Sequence, residues 1–121
     1  MIRVIVLLSS YNGEKYIKQQ IDSILNQTGV EVIIMVRDDG SKDNTISILE
    51  DYQRNVSSFE LIKGDNCGST ASFSRLLAYA YSKFGNDVLY AFSDQDDVWQ
   101  KEKLLVASKR LDIKSTIPML Y

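Results

Sequence analysis

Three carboxylates stand within four residues at Asp94, Asp96 and Asp97, with Gln95 between the first two. Like charges this close repel one another unless something positive sits among them. A divalent cation, bound through one or two carboxylates and the phosphates of a ligand, would supply that charge. The chain has no histidine, so the commonest general base and metal ligand is missing. Acid–base or metal chemistry must therefore rest on carboxylates, which favours Mg²⁺ or Mn²⁺ over zinc. The plain alternative is a solvated turn, where Asp is common. Position favours chemistry: the apolar run Val88–Phe92 reads as a buried strand, and the acids sit at its carboxyl end. Open α/β sheets bind ligands at that end.

A second acidic pair, Asp38-Asp39, is followed by Gly40-Ser41. It could be a strand end, a turn glycine and a helix cap. One carboxylate could satisfy a helix N-terminus; the other needs a different donor, and the imide N–H of uracil or thymine suits it. Tyr11, after the first apolar run, could stack on a base or simply pack. Asn66-Cys67-Gly68 reads as an edge turn whose backbone N–H groups could approach phosphate if the turn faces the cleft. Cys67 has no base near it in sequence to activate it, and Trp99 reads as an apolar lid under the acidic loop. No Gly-x-Gly-x-x-Gly follows the first strand, and no Walker pattern occurs.

The surrounding chain is ordinary for a globular domain. At 121 residues, 45% apolar and 25% charged, it is one domain or part of one. A net charge of -2 gives no basic footprint for nucleic acid. No apolar run reaches the roughly eighteen residues of a membrane span. The single cysteine cannot form an internal disulfide, which fits a reducing cytoplasm.

Hydrophobic spacing predicts the elements that position the acids. Val4–Leu8 and Val32–Val36 are apolar throughout, as strands covered on both faces are. Ile17, Ile21, Ile24 and Leu25 mark a helix, with Lys15, Lys18, Gln19 and Gln20 on its polar side and Gly29 at its end. Ser41 is a good N-cap for a second helix, with Asp43 in its first turn and Ile46, Leu49 and Tyr52 or Gln53 along its face. Phe59–Ile62 is a short strand near an edge. A third helix carries Phe73, Leu76, Leu77, Ala80, Tyr81 and Phe84 on one stripe and closes at Gly85. A fourth runs from about Lys101 to Leu111, and Pro118–Tyr121 starts another strand. This alternation predicts an α/β, doubly wound, mostly parallel sheet with strand order 3-2-1-4. The loops at Ser9–Tyr11, Asp38-Asp39 and Asp94–Asp97 would then converge at the switch point between strands one and four.

With these loops in place, the chain resembles the family 2 glycosyltransferases over essentially its whole length. The resemblance is carried by Val6–Asn12, by Ile24–Thr28, by Asp38–Asp43 and by Asp94–Asp97. It implies the Rossmann-like nucleotide-binding half of an A-type glycosyltransferase fold. Ser9 and Asp39 would hold the base of a nucleotide-sugar. Tyr11, Asp38, Asn66, Gly68, Asp94 and Gln95 would complete the donor site, and Asp96 with Asp94 would hold the metal. Ser93–Trp99 looks most like the rhamnosyltransferase-type branch, which implies a dTDP- or UDP-linked sugar, a saccharide acceptor and polysaccharide synthesis. Many family members carry an Arg-Asn pair where this chain has Phe73-Ser74. The family inverts at the anomeric carbon and its base lies in the acceptor half. Residues 1–121 would thus be the donor-binding domain of a longer enzyme, with the base beyond Tyr121. Its location would be cytoplasmic, compatible with peripheral attachment at the inner face of the membrane. A non-catalytic nucleotide-binding module is the alternative, and a receiver-like signalling domain a weaker one, because it wants an acidic pair directly after strand one.

Overall fold

In the computed structural model the described residues are 2–93 and 103–104. Four strands, β1 (Arg3–Ser10), β2 (Glu31–Asp38), β3 (Phe59–Lys63) and β4 (Leu89–Ser93), alternate with three helices. The helices are α1 (Ile17–Leu25), α2 (Thr45–Asn55) and α3 (Ser69–Phe84). The sheet order is β3-β2-β1-β4, and every pairing is parallel. This is the predicted order. It also disposes of the receiver-like alternative, because the flavodoxin-like arrangement places β1 between β2 and β3; here β1 lies between β2 and β4.

Alternation along the strands divides the core in two. Val4, Val6 and Leu8 of β1 pack with Ile34 and Val36 of β2 under α1 and α2, through Ile17, Ile21, Ile24 and Leu49. Ile5 and Leu7, with Met35 and Tyr90, face the opposite way and meet Leu76 and Ala80 of α3. Helices on both faces explain why β1 is apolar at successive positions and not at alternate ones. Each fully buried Ile or Leu removes enough apolar surface to contribute about 1.5–3 kcal/mol.

Several local expectations are corrected. Ser41 does not cap α2, which begins at Thr45; Asp43 accepts the Thr45 N–H at 2.9 Å instead. The reason is that Ser41 is drawn to the strand end, where its hydroxyl donates to Asp38 at 2.6 Å. Helix α1 ends at Leu25, not at Gly29, and Gln27 N–H closes a tightened last turn on the Ile24 carbonyl. Gln20, expected on the polar side, is buried and donates to Ser93 Oγ. On α2 it is Ile48, Leu49 and Tyr52 that face the core, with Tyr52 stacked on Phe59 at 5.8 Å. Tyr81 is exposed, whereas Leu76 and Ala80 carry the α3 stripe and Gly85 ends it at φ 68. Of the expected fourth helix, Lys103 and Leu104 are described; they are helical, and Leu104 is buried with its N–H on Gln27 Oε1. Trp99 and the expected strand at 118–121 lie outside the described residues. No helix among the described residues is long and apolar enough to cross a membrane.

Candidate functional site

The carboxyl ends of β1, β2 and β4 lie side by side. Ser9 pairs with Arg37 and Ser10 with Asp38 across β1–β2, while Ser93 ends β4 opposite Leu8. The loops that follow all three strands therefore start from one edge of the sheet.

Alternation decides what each polar residue at these ends can reach. Ser10 and Asp38 continue the α1–α2 side. The Ser10 hydroxyl donates to Asp38 Oδ1 at 2.8 Å, and Ser41 adds its hydroxyl to Oδ1 and its N–H to Oδ2. Asp38 has no exposed surface, so in this conformation both oxygens serve the chain itself. It ties the end of β1 to the start of the β2–α2 loop. The same loop is fastened to the first by Asn12, whose N–H donates to Ser41 Oγ and whose side-chain oxygen accepts the Lys42 N–H.

Ser9, Arg37 and Asp39 lie on the α3 side. Arg37 is buried and its Nη1 sits 2.7 Å from Asp39 Oδ1. The same nitrogen donates to Ser72 Oγ on α3 at 2.9 Å, and Nη2 donates to the Asp65 carbonyl at 3.2 Å. Ser9 Oγ meets Ser72 Oγ at 2.6 Å, which joins β1 to the same network. Asp39 also accepts the N–H of Cys67 on Oδ1 at 2.9 Å and the N–H of Gly68 on Oδ2 at 3.1 Å. The Cys67 thiol, half-buried, is a further weak donor at 3.4 Å. Burial alone would raise the Asp39 carboxyl, but Arg37, the Cys67 amide and thiol and the Gly68 amide outweigh it and hold the group below its ordinary 3.8.

The structure thus joins Ser9, Asp39 and Gly68 in one network through Ser72 and Arg37, while Asp38, adjacent in the chain, belongs to a separate one on the other side of the sheet. Asn66 is exposed and lies against Gly40, where an added Cβ would be 3.1 Å from the Asn66 nitrogen. Tyr11, 41% exposed, stands just past β1. Asp94, Gln95 and Asp96 lie outside the described residues; β4 ends at Ser93 immediately before them. One expectation changes here: the amides of Cys67 and Gly68 point at Asp39, not at a phosphate. Phe73, at one of the two positions of the family's Arg-Asn pair, packs at a tilt against Phe92, with ring centroids 4.9 Å apart, and so serves packing. Among the described residues no group of three or more acids and thiols could hold a metal ion.

Sequence reasoning missed Arg37 and Ser72. Arg37 had a readable signal: a cation two residues from Asp39 on an extended run shares its face. Ser72 had none, since only the packing of α3 brings it there. Chemically, the cluster holds an ionised carboxylate at the strand ends. Among the described residues Oδ1 is saturated, whereas Oδ2 accepts a single N–H and keeps one lone pair for another donor.

The family model for Glycosyl transferase family 2 matches residues 5–116. The chain belongs to this family. It is 36% identical over 100 residues to the dTDP-rhamnosyl transferase RfbG of Shigella flexneri, covering 80% of this chain and 34% of that one. It is 32% identical over 121 residues to WfgD of Escherichia coli, a UDP-Glc:alpha-D-GlcNAc-diphosphoundecaprenol beta-1,3-glucosyltransferase, covering 98% of this chain and 44% of that one. Among solved structures, TarS of S. aureus in complex with UDP superposes with a TM-score of 0.76 at 28% identity, over 93% of this chain and 32% of that one. The family 2 chain therefore has the A-type glycosyltransferase architecture, and it spans between 32% and 44% of the length of these relatives.

Proposed function

We propose that this chain is the donor-binding part of an inverting glycosyltransferase that uses a UDP- or dTDP-linked sugar, with rhamnose as a candidate, in polysaccharide synthesis. The observation that carries this reading is the buried Asp39 carboxylate at the carboxyl end of the sheet, held below its ordinary pKa, whose Oδ2 accepts a single N–H among the described residues. That oxygen suits the imide N–H of uracil or thymine, and Tyr11, exposed just past the end of β1, suits the face of a base. The family membership, the UDP bound to TarS and the names of RfbG and WfgD support a pyrimidine diphosphate donor.

Asp94 and Asp96 offer hard oxygen ligands of the kind Mg²⁺ or Mn²⁺ prefers, and such an ion would neutralise the leaving diphosphate. Asp38 braces the two loops, and Asp39 with Ser9 orients the base so that the sugar projects past the end of β4. In this reading the catalytic base, acting on the hydroxyl of a saccharide acceptor, belongs to the acceptor half of the longer protein. The whole protein would work in the cytoplasm, a location compatible with peripheral attachment at the inner face of the membrane.

Calorimetry on the full protein with Mn²⁺ tests this reading. UDP and dTDP should bind, and ADP, ATP and NAD should bind at least about tenfold more weakly, since adenine has a bare ring nitrogen where uracil and thymine carry N3–H. Equal affinity for purine and pyrimidine diphosphates would refute it. The non-catalytic alternative predicts the same binding but no transfer of sugar by the full protein.

A further inference from the structure

A charged residue at position 37 has a cost that stability does not explain. Arg37 extends the apolar run of β2, on the face that carries Met35 against α3, and is only 4% exposed. Replacing a buried ion pair by well-packed apolar side chains is often neutral or stabilising. A valine or leucine here would serve the core as well. The chain instead places a guanidinium and builds a seat for it. An added Cβ at Gly64 would lie 2.2 Å from Arg37 Nη2 and 2.6 Å from Cζ, so any side chain at 64 would displace the head group. The planar fork then meets three partners from three parts of the fold: Asp39 at 2.7 Å, Ser72 Oγ at 2.9 Å and the Asp65 carbonyl at 3.2 Å. Through Ser72 it is one step from Ser9, whose hydroxyl lies 2.6 Å from Ser72 Oγ.

We propose that Arg37 is the positioning residue for base selection: it fixes the Asp39 carboxylate so that Oδ2 faces the base as an acceptor, and thereby sets the preference for uracil or thymine over cytosine. This rests on the reading of Asp39 as the base-binding group. Among the described residues Arg37 and the Cys67 amide occupy Oδ1 while Oδ2 accepts only the Gly68 N–H, and the bonds to both oxygens fix the plane of the carboxylate. A guanidinium cannot lose its proton, so its partner stays an anion and can only accept. Uracil and thymine present N3–H to such an oxygen. Cytosine presents a bare N3, and two lone pairs then face each other. Lysine cannot reproduce the seat, because a point charge cannot span Asp39, Ser72 and the Asp65 carbonyl at once.

The test is calorimetric titration of the full protein with UDP and with CDP, in Mn²⁺, for wild type, Arg37→Gln, Arg37→Lys and Gly64→Ala. Wild type should prefer UDP by about tenfold or more, because a site built for an N–H donor rejects the analogue lacking it. Arg37→Gln should lower UDP affinity about tenfold and CDP affinity far less, so that the ratio collapses, with Arg37→Lys in between. Gly64→Ala shifts the guanidinium without touching Asp39, Cys67 or Gly68, and should collapse the ratio partly; it decides the matter if Arg37→Gln does not fold. A folded Gly64→Ala or Arg37→Gln protein, judged by its melting curve, that keeps the wild-type UDP to CDP ratio overturns the proposal. An equal loss on both nucleotides also overturns it, since that is what a merely structural arginine would give. A wild-type ratio near one would instead sink the base-binding reading of Asp39 itself.

Discussion

Gln20 of α1 donates from Nε2 to Ser93 Oγ, the last residue of β4, at 2.9 Å, with both side chains buried. The bond spans 73 residues of sequence and fastens the first helix to the strand end from which the acidic loop departs. Gln20→Leu should cost about 1–3 kcal/mol, because the Ser93 hydroxyl is left buried without that donor. A denaturation cycle with Ser93→Ala checks the assignment. The double variant should lose clearly less than the sum of the two single losses; strict additivity would mean that the two side chains do not depend on each other.

Gly40 has φ +81, and a Cβ there would press on the backbone nitrogen of Asn66 at 3.1 Å. Gly40→Ala should therefore lose about 1–2 kcal/mol from the left-handed backbone alone. The push on Asn66 adds to this and should weaken UDP binding as well, since both loops border the Asp39 cluster. Thermal melting with and without UDP reads the two effects separately, and a loss below about 0.5 kcal/mol would contradict the geometry.

Acid should destabilise the fold through two aspartates. Burial would raise Asp39 and Asp43 above the ordinary 3.8, but hydrogen bonds, to Asp39 from Arg37, Cys67 and Gly68 and to Asp43 from Thr45 and Glu14, bring both below it. Their folded values lie under their unfolded ones, so each contributes stability that is fully present above pH of about 4 and is lost as pH falls through the folded values. Denaturation midpoints should be insensitive to these groups near neutrality and fall below about pH 4. Asp43→Asn should make that acid limb shallower; an unchanged limb would show that Asp43 is not held ionised by the fold.

Asp96→Asn keeps the shape of the acidic loop and removes one charge. An amide oxygen still ligates a hard cation but attracts it less. In the full protein, transfer should collapse, because the departing diphosphate loses counter-charge in the transition state. Metal-free stability should hold or rise slightly as repulsion among Asp94, Asp96 and Asp97 is relieved. Titration of Mn²⁺ with UDP present, for wild type and Asp96→Asn, is the check. Unchanged metal affinity would show that the cation is held elsewhere.

The sequence by itself determined the sheet. Two fully apolar runs, Val4–Leu8 and Val32–Val36, can only be strands covered on both faces, and helices of this length between them force parallel crossovers. From that pattern follow the order β3-β2-β1-β4 and loops after β1, β2 and β4 that leave from one edge of the sheet. Periodicity reports which face a residue occupies, so it placed the acids at the strand ends. It does not report which polar groups from other elements arrive at the same point. Only the packing of α3 brought Ser72 beside Ser9 and Arg37, and only the path of the β3–α3 loop turned the Cys67 and Gly68 amides onto Asp39. The same limit hid Gln20, whose spacing reads as solvent-facing until Ser93 is seen opposite it. Two adjacent aspartates, alike in sequence, were given different work by tertiary structure: strand alternation turns Asp38 inward to Ser10 and Ser41, and Asp39 to Arg37 and the Cys67 and Gly68 amides.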